Sequence, residues 1–324
     1  QFIFSDLFTE NANNTKQFSE NKMQFAGFEA HLLDKKKNGD LLEVKLGNQL
    51  RIDNLDTRFE LLENKNTLTF PNSYQNNLTY STNGLYLSAK YRFKVENFTL
   101  LTQSDFHQLF NQLENFDVKS NQNPFFAMPK IGLDWKINEK NKILTSYSYN
   151  TTNAGILDVY SGFVQTGFRS FSKGLEEFNQ LNSSSAILNY TYGSWGDKFF
   201  ANTFILYSKN NDFFSNNSII AQNSFTDNMS FLDLSFMFSD KFNIQLQSER
   251  YFFGNLDKDN NKYYFLDLEA RYVVKENKLT FFLSGNNLFN EETFRNYSIS
   301  DINISQTEYR LQPRYVLLKI EFRF

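Results

Sequence analysis

The chain carries two histidines, His31 and His107, and no cysteine. That leaves few places for nucleophilic or metal chemistry. Ser104 and Asp105 precede His107, the residue types of a Ser–His–Asp site, but no oxyanion-hole feature accompanies them. A polar rim residue is the better reading of His107. His31 lies beside a short turn and His107 near the far end of a strand, so the two are expected at opposite ends of the strands. Asp257-Lys258-Asp259-Asn260-Asn261 opens like a calcium loop, but its sixth position is Lys262 and its twelfth Leu268, where an EF-hand needs Gly and Glu. A solvated turn explains it better. Gly27, Gly47 and Gly132 stand singly, and no GxxxxGK phosphate loop occurs. No enzymatic activity, metal or cofactor is expected from this inventory. Surface binding remains. The stretch Asn153–Ser183 carries Tyr160, Phe163, Phe168, Arg169 and Phe171, and Phe125 and Phe126 stand in another long link. Such rings stack on sugars or grip a peptide, with Arg169 adding a charge-assisted hydrogen bond. The alternative is that they pack loops together or against a partner lipoprotein lid.

The elements that position these residues show a two-residue period. Leu85, Leu87, Ala89, Tyr91, Phe93 and Val95 alternate with Ser88, Lys90, Arg92 and Lys94. Leu266, Leu268, Ala270, Tyr272 and Val274 alternate with Asp267, Glu269 and Arg271. The same pattern recurs around Leu42–Leu46, Ile131–Ile137, Leu232–Phe238 and Phe242–Leu246. Period two is a strand signature with one apolar and one polar face. Links between the strands alternate short and long. Short ones fall at Asp34–Asp40, Val95–Asn97, Asn138–Asn141, Gly193–Asp197, Ser239–Lys241 and Lys275–Lys278. Long ones fall near Glu10–Asn21, Glu63–Ser81, Asn111–Ala127, Asn153–Ser183, Asn210–Asn228, Gly254–Asn261 and Leu288–Ser305. Pro71, Pro124 and Pro129 are expected in or beside these long links, where a missing N–H is harmless. Long links gathered at one end are a habit of outer-membrane barrels, which have short periplasmic turns and longer extracellular loops. A soluble all-β protein has no reason for that asymmetry.

Composition agrees. Aromatic residues make up 18% of the 324 residues, yet mean hydropathy is −0.52, so the rings sit among Asn, Ser and Lys rather than in an aliphatic core. The net charge of −3 points to no nucleic-acid partner. The longest apolar runs, such as Tyr315–Leu318, are too short for a helical span, so a membrane crossing must be by strands in a closed barrel. Residues 1–324 therefore read as one transmembrane antiparallel β-barrel of about fourteen strands. Trp135, Trp195, Phe199 and Tyr251 are expected in interfacial girdles against outer-membrane lipid.

The last strand sets Val316, Leu318, Ile320, Phe322 and Phe324 on one face against Lys319, Glu321 and Arg323. A terminal aromatic at this spacing resembles the signal that the barrel-assembly machinery reads. With Ser284-Gly285-Asn286-Asn287-Leu288-Phe289-Asn290, Leu311-Gln312-Pro313-Arg314 and Tyr147-Ser148-Tyr149, the chain resembles the C-terminal barrel of TonB-dependent outer-membrane receptors, particularly the Bacteroidota type. That resemblance implies import of a bulky nutrient (a siderophore, glycan or peptide) through a 22-stranded barrel, with a plug and a TonB-contacting segment upstream. The strand-like residues at Gln1 favour a portion of such a receptor over a complete smaller barrel. A passive channel of about fourteen strands, or a scaffold for a surface complex, would share the same wall.

Overall fold

The computed structural model describes residues 14–322 except 117, 154, 168–169, 173, 175–179, 217–218, 277 and 300–303. Its first half holds β1 (Asn14–Lys35), β2 (Leu41–Glu63), β3 (Asn66–Thr69), β4 (Asn76–Val95), β5 (Phe98–Asn115), β6 (Val118–Gln122), β7 (Phe125–Lys136) and β8 (Asn141–Asn153). A helical turn at Ile156–Val159 precedes β9 (Val164–Gly167), β10 (Ser170–Ser172), β11 (Gln180–Tyr192) and β12 (Phe199–Asn216). Then come β13 (Ile219–Ser239), β14 (Phe242–Phe253), β15 (Lys262–Lys275), β16 (Leu279–Asn286), β17 (Thr293–Ile299), β18 (Ile304–Arg310) and β19 (Tyr315–Phe322).

One antiparallel sheet of fifteen strands dominates, with an unbroken path of thirteen from β1 to β19 and with β3 and β6 attached beside it. The path matches the expected all-β wall of about fourteen strands. Among the described residues β1 pairs only with β2, and β19 only with β16. The described sheet thus has two free edges.

Register fixes two faces. Leu85, Leu87 and Phe93 of β4 lie on the outer face with Ile131 and Trp135 of β7, Leu232 and Phe236 of β13, Leu268 and Tyr272 of β15, and Leu318 and Ile320 of β19. All of these are exposed. A soluble monomer rarely shows apolar patches beyond a few hundred Å², whereas this one is continuous from β2 to β19. Its short-link edge is rimmed by rings in contact: Tyr192–Phe199 at 5.5 Å, Phe199–Phe236 at 4.9 Å, Phe236–Phe238 at 6.4 Å, Phe238–Phe242 at 5.5 Å and Phe242–Tyr272 at 6.4 Å. Eight residues farther along their strands stand Tyr207 and Tyr264, a rise of about 27 Å. At the tilt of barrel strands, about 35–45°, this corresponds to a height of about 20 Å, close to that of the apolar band between the two aromatic girdles of a transmembrane barrel.

Several expectations need correction. Tyr251 does not join a girdle. Its position is odd on a strand whose Phe242, Ile244 and Leu246 face out, so its ring turns inward against Phe231 (5.6 Å) and Phe294 (5.2 Å). Trp195 lies over Phe200 at 4.4 Å. Pro129 sits inside β7 opposite Ser104, and the β7–β8 ladder starts one residue later, at Lys130. The stretch Asn210–Asn228 is mostly strand, since β12 runs to Asn216 and β13 starts at Ile219. Glu10–Asn21 likewise contains the start of β1. Backbone ladders need no alternation of side chains, so they form there without the sequence signal.

The motifs at Ser284–Asn290 and Leu311–Arg314 meet in space. Asn287 (φ +50°) and Asn290 (φ +61°) adopt the left-handed region that Asn tolerates. Asn287 Nδ2 donates to Glu291 O (2.8 Å) and Gln312 O (3.0 Å), and Asn290 Oδ1 accepts from Arg314 N (3.1 Å). The turn therefore ties the foot of the β17–β18 hairpin to the start of β19.

Candidate functional site

The site lies on the inner face at the long-link end of β1, β2, β4 and β5. Its roof comes from the link between β8 and β11, which reaches back across the sheet. From the helical turn at Ile156–Val159 and the residue after it, Ile156, Val159 and Tyr160 are buried against Leu55, Leu78, Tyr80 and Leu113. Polar anchors fix it. Asn76, 2% exposed, donates through Nδ2 to Thr57 Oγ1 (2.7 Å) and Gly162 O (3.1 Å), and its Oδ1 accepts from Gly162 N (2.6 Å). Gly162 admits no side chain, because a Cβ there would come within 2.3 Å of Gln75 O. Asn115 Nδ2 donates to Ser161 Oγ (2.6 Å), and Phe163 N to Ser73 O (2.7 Å). On β1, Gln17 mimics a strand partner: its Nε2 donates to Gln165 O (2.9 Å) and its Oε1 accepts from Gln165 N (2.7 Å).

Beneath the roof is a cavity of about 710 Å³ whose wall includes Gln49, Arg51, Thr82, Tyr86, His107 and Ile156. Asp53, 1% exposed, holds Arg51 bidentately, accepting Nε at 2.6 Å and Nη2 at 3.0 Å. The pairing orients the guanidinium and cancels its charge, while the Arg51 side chain stays 53% exposed. Tyr86 lies over Gly47, where a Cβ would meet its ring at 2.5 Å, and donates to Glu29 Oε2 (2.7 Å). Next to it His107 stacks between Tyr86 (6.0 Å) and Phe126 (5.2 Å). The wall is thus a row of rings beside planar polar groups with balanced charge.

Tyr160 is in the apolar cluster, 4% exposed. Phe163 packs on Tyr74 (5.2 Å), and Phe171 on Phe59 (5.6 Å) and Tyr74 (5.3 Å). Phe163 and Phe171 meet on Tyr74, while Tyr160 belongs to the separate cluster around Leu55 and Leu78. Phe168 and Arg169 lie outside the described residues, as does Phe324. Val316, Leu318, Ile320 and Phe322 of β19 share the outer face and are exposed.

Register separates Ser104 from His107. Three residues apart on one strand, they face opposite sides of the sheet, so the Ser–His–Asp arrangement cannot form there. His31 and His107 are not at opposite ends of the strands. His31 pairs with Lys45 and His107 with Tyr86, and these positions fall in neighbouring rows of the inner face. The stagger between strands, invisible in link lengths, brings them level. His31 Nε2 lies 3.2 Å from Glu43 Oε1, on a carboxylate also approached by Lys45 (3.6 Å) and Lys90 (3.8 Å). No group of three metal-ligating side chains occurs among the described residues.

Arg51, Asp53, Asn76 and Gly162 were not singled out by their residue types. The parity of β2 was the available signal, since Gln49, Arg51 and Asp53 alternate with Leu50 and Ile52. Nothing local in the sequence marks Asn76 or Gly162, whose partners are 86 residues apart.

No family model matches the chain, and no curated protein matches it in sequence. Among solved structures, P. aeruginosa FpvA bound to heterologous pyoverdines shares 10% identity over 94% of this chain and 42% of its own, with a TM-score of 0.47. The ferric yersiniabactin uptake receptor FyuA from Yersinia pestis shares 10% over 96% and 55%, at 0.45. The alcaligin outer membrane receptor FauA from Bordetella pertussis shares 14% over 96% and 50%, at 0.45. The chain spans between 42% and 55% of the length of these structures.

Proposed function

We propose that this chain is the barrel wall of an outer-membrane receptor that takes up a bulky nutrient, in the manner of the TonB-dependent class it resembles. One observation carries the reading: a loop at the long-link end folds back to roof a polar-aromatic cavity, on a sheet whose other face is apolar and ringed at its edge by aromatics. Such an outer face fits lipid, and such a cavity fits capture of a ligand arriving from outside. Ligand contact falls to Gln49, Arg51, Tyr86 and His107 on the wall, while Tyr160, Phe163 and Phe171 hold the roof. The nutrient is a siderophore, glycan or peptide.

In this reading the free edges of β1 and β19 pair with further strands, because an unpaired ladder is costly in lipid. The outward row Val316, Leu318, Ile320 and Phe322 serves the assembly machinery. Movement across the membrane is driven by TonB through a segment outside this chain, and the polar inner face supplies the path. Cells producing the full-length protein should accumulate one such nutrient against its gradient, and a protonophore should stop accumulation. Uptake that continues unchanged in the protonophore would overturn the reading and identify a passive channel.

A further inference from the structure

The outer face carries two kinds of charged sector at its long-link end. On β1 and β2 its cations are paired: Lys16 with Glu60 (4.0 Å), Lys22 with Glu20 (3.0 Å) and Arg58 with Asp56 (3.0 Å). On β12 to β15 the arrangement differs. The register turns Lys209, Arg250 and Lys262 outward, beside Tyr207 and Tyr264, and puts no Asp or Glu on that face of the four strands. All three cations are exposed. Among the described residues none of them has an ion-pair partner, and Arg250 Nη1 only donates to the amide Asn228 Oδ1 (3.3 Å). They stand in three successive outward rows on β12, β15 and β14, with β13 between Lys209 and the other two, where the apolar band gives way to the long hairpins.

We infer that this sector binds the phosphate groups of a phosphorylated glycolipid in the leaflet at the long-link side. The inference rests on the outer face lying in the outer membrane. At the edge of an apolar band, uncompensated cations beside tyrosines meet headgroups, where an anion replaces the missing carboxylates. A sugar-borne bisphosphate suits the site better than a single phosphodiester, because the three cations are spread over four strands about 4.8 Å apart. One phosphate can reach two of them but not all three.

The full-length protein would be reconstituted in zwitterionic phosphatidylcholine nanodiscs and titrated with a bisphosphorylated glucosamine glycolipid or with phosphatidylglycerol, retention being read by native mass spectrometry. Preferential retention of the glycolipid is expected. Lys209→Gln, Arg250→Gln and Lys262→Gln should each weaken it about fivefold, Arg250→Lys should largely retain it, and Lys16→Gln with Lys22→Gln should leave it unchanged. Equal retention of both lipids, or unchanged glycolipid binding in the triple variant, would overturn the inference. Failure of the wild-type protein to insert into nanodiscs would instead overturn the membrane reading on which it rests.

Discussion

Leu268→Arg should strongly destabilise the folded state in bilayers, while Glu269→Arg, one residue farther along β15, should fold close to wild type. Leu268 faces outward between Leu266 and Ala270 in the middle of the apolar band, and pairs with Leu246 and Gly285. Arginine at the midplane of a lipid-facing strand costs about 2–4 kcal/mol, roughly a 30- to 1,000-fold loss in the folded population. Glu269 faces inward, opposite Gln245 and Ser284, where a cation meets polar groups and water. Heat-modifiable migration and urea titration in lipid vesicles measure both variants. Equal stability of the two would contradict the assignment of faces.

Asn76→Ala should release the roof. The substitution removes two donated bonds and one accepted bond, and it strands Gly162 N–H and C=O in a buried position. An unsatisfied buried group costs about 1–3 kcal/mol, so the roof should open a hundredfold more often or beyond. Gly162→Ala should act alike for a different reason, since its methyl would collide with Gln75 O. Proteolysis of intact cells expressing the full-length protein, followed at 155–165, should be much faster in both variants, with nutrient uptake reduced. Cleavage at the wild-type rate would show that the roof is held by the apolar cluster alone.

The wall was legible because an apolar outer face and a polar inner face impose alternation on every strand between them. Leu266 to Val274 and Leu85 to Val95 carry that imprint directly, and the short turns are marked where alternation stops. The hairpin extensions were not legible. Residues 210–228 are rich in Asn and Ser and carry no apolar alternation, so nothing in their order distinguishes a ladder from a loop. Stagger was lost for a related reason: link length reports how far a chain travels between strands, not how far neighbours slide, and His31 and His107 were misplaced by it. Tyr251 shows the opposite case, since counting parity from Phe242 places its ring inward without any structure. For the site, the aromatic residues of 153–183 were visible but their destination was not. They pack on Phe59, Tyr74 and Leu78, far away in sequence, and the wall residues Arg51 and Asp53 gain meaning only once that loop covers them.

The central claim is that one face of this sheet meets lipid and the other lines a water-filled, roofed interior. The chain contains no cysteine, so single cysteines can be placed at each position from Leu266 to Tyr272 in the full-length protein and probed in intact outer membranes with a small water-soluble thiol reagent. Alternation is the predicted result, with Asp267, Glu269 and Arg271 positions reacting and Leu266, Leu268, Ala270 and Tyr272 positions protected until detergent strips the lipid. Uniform reactivity along the strand would contradict the account.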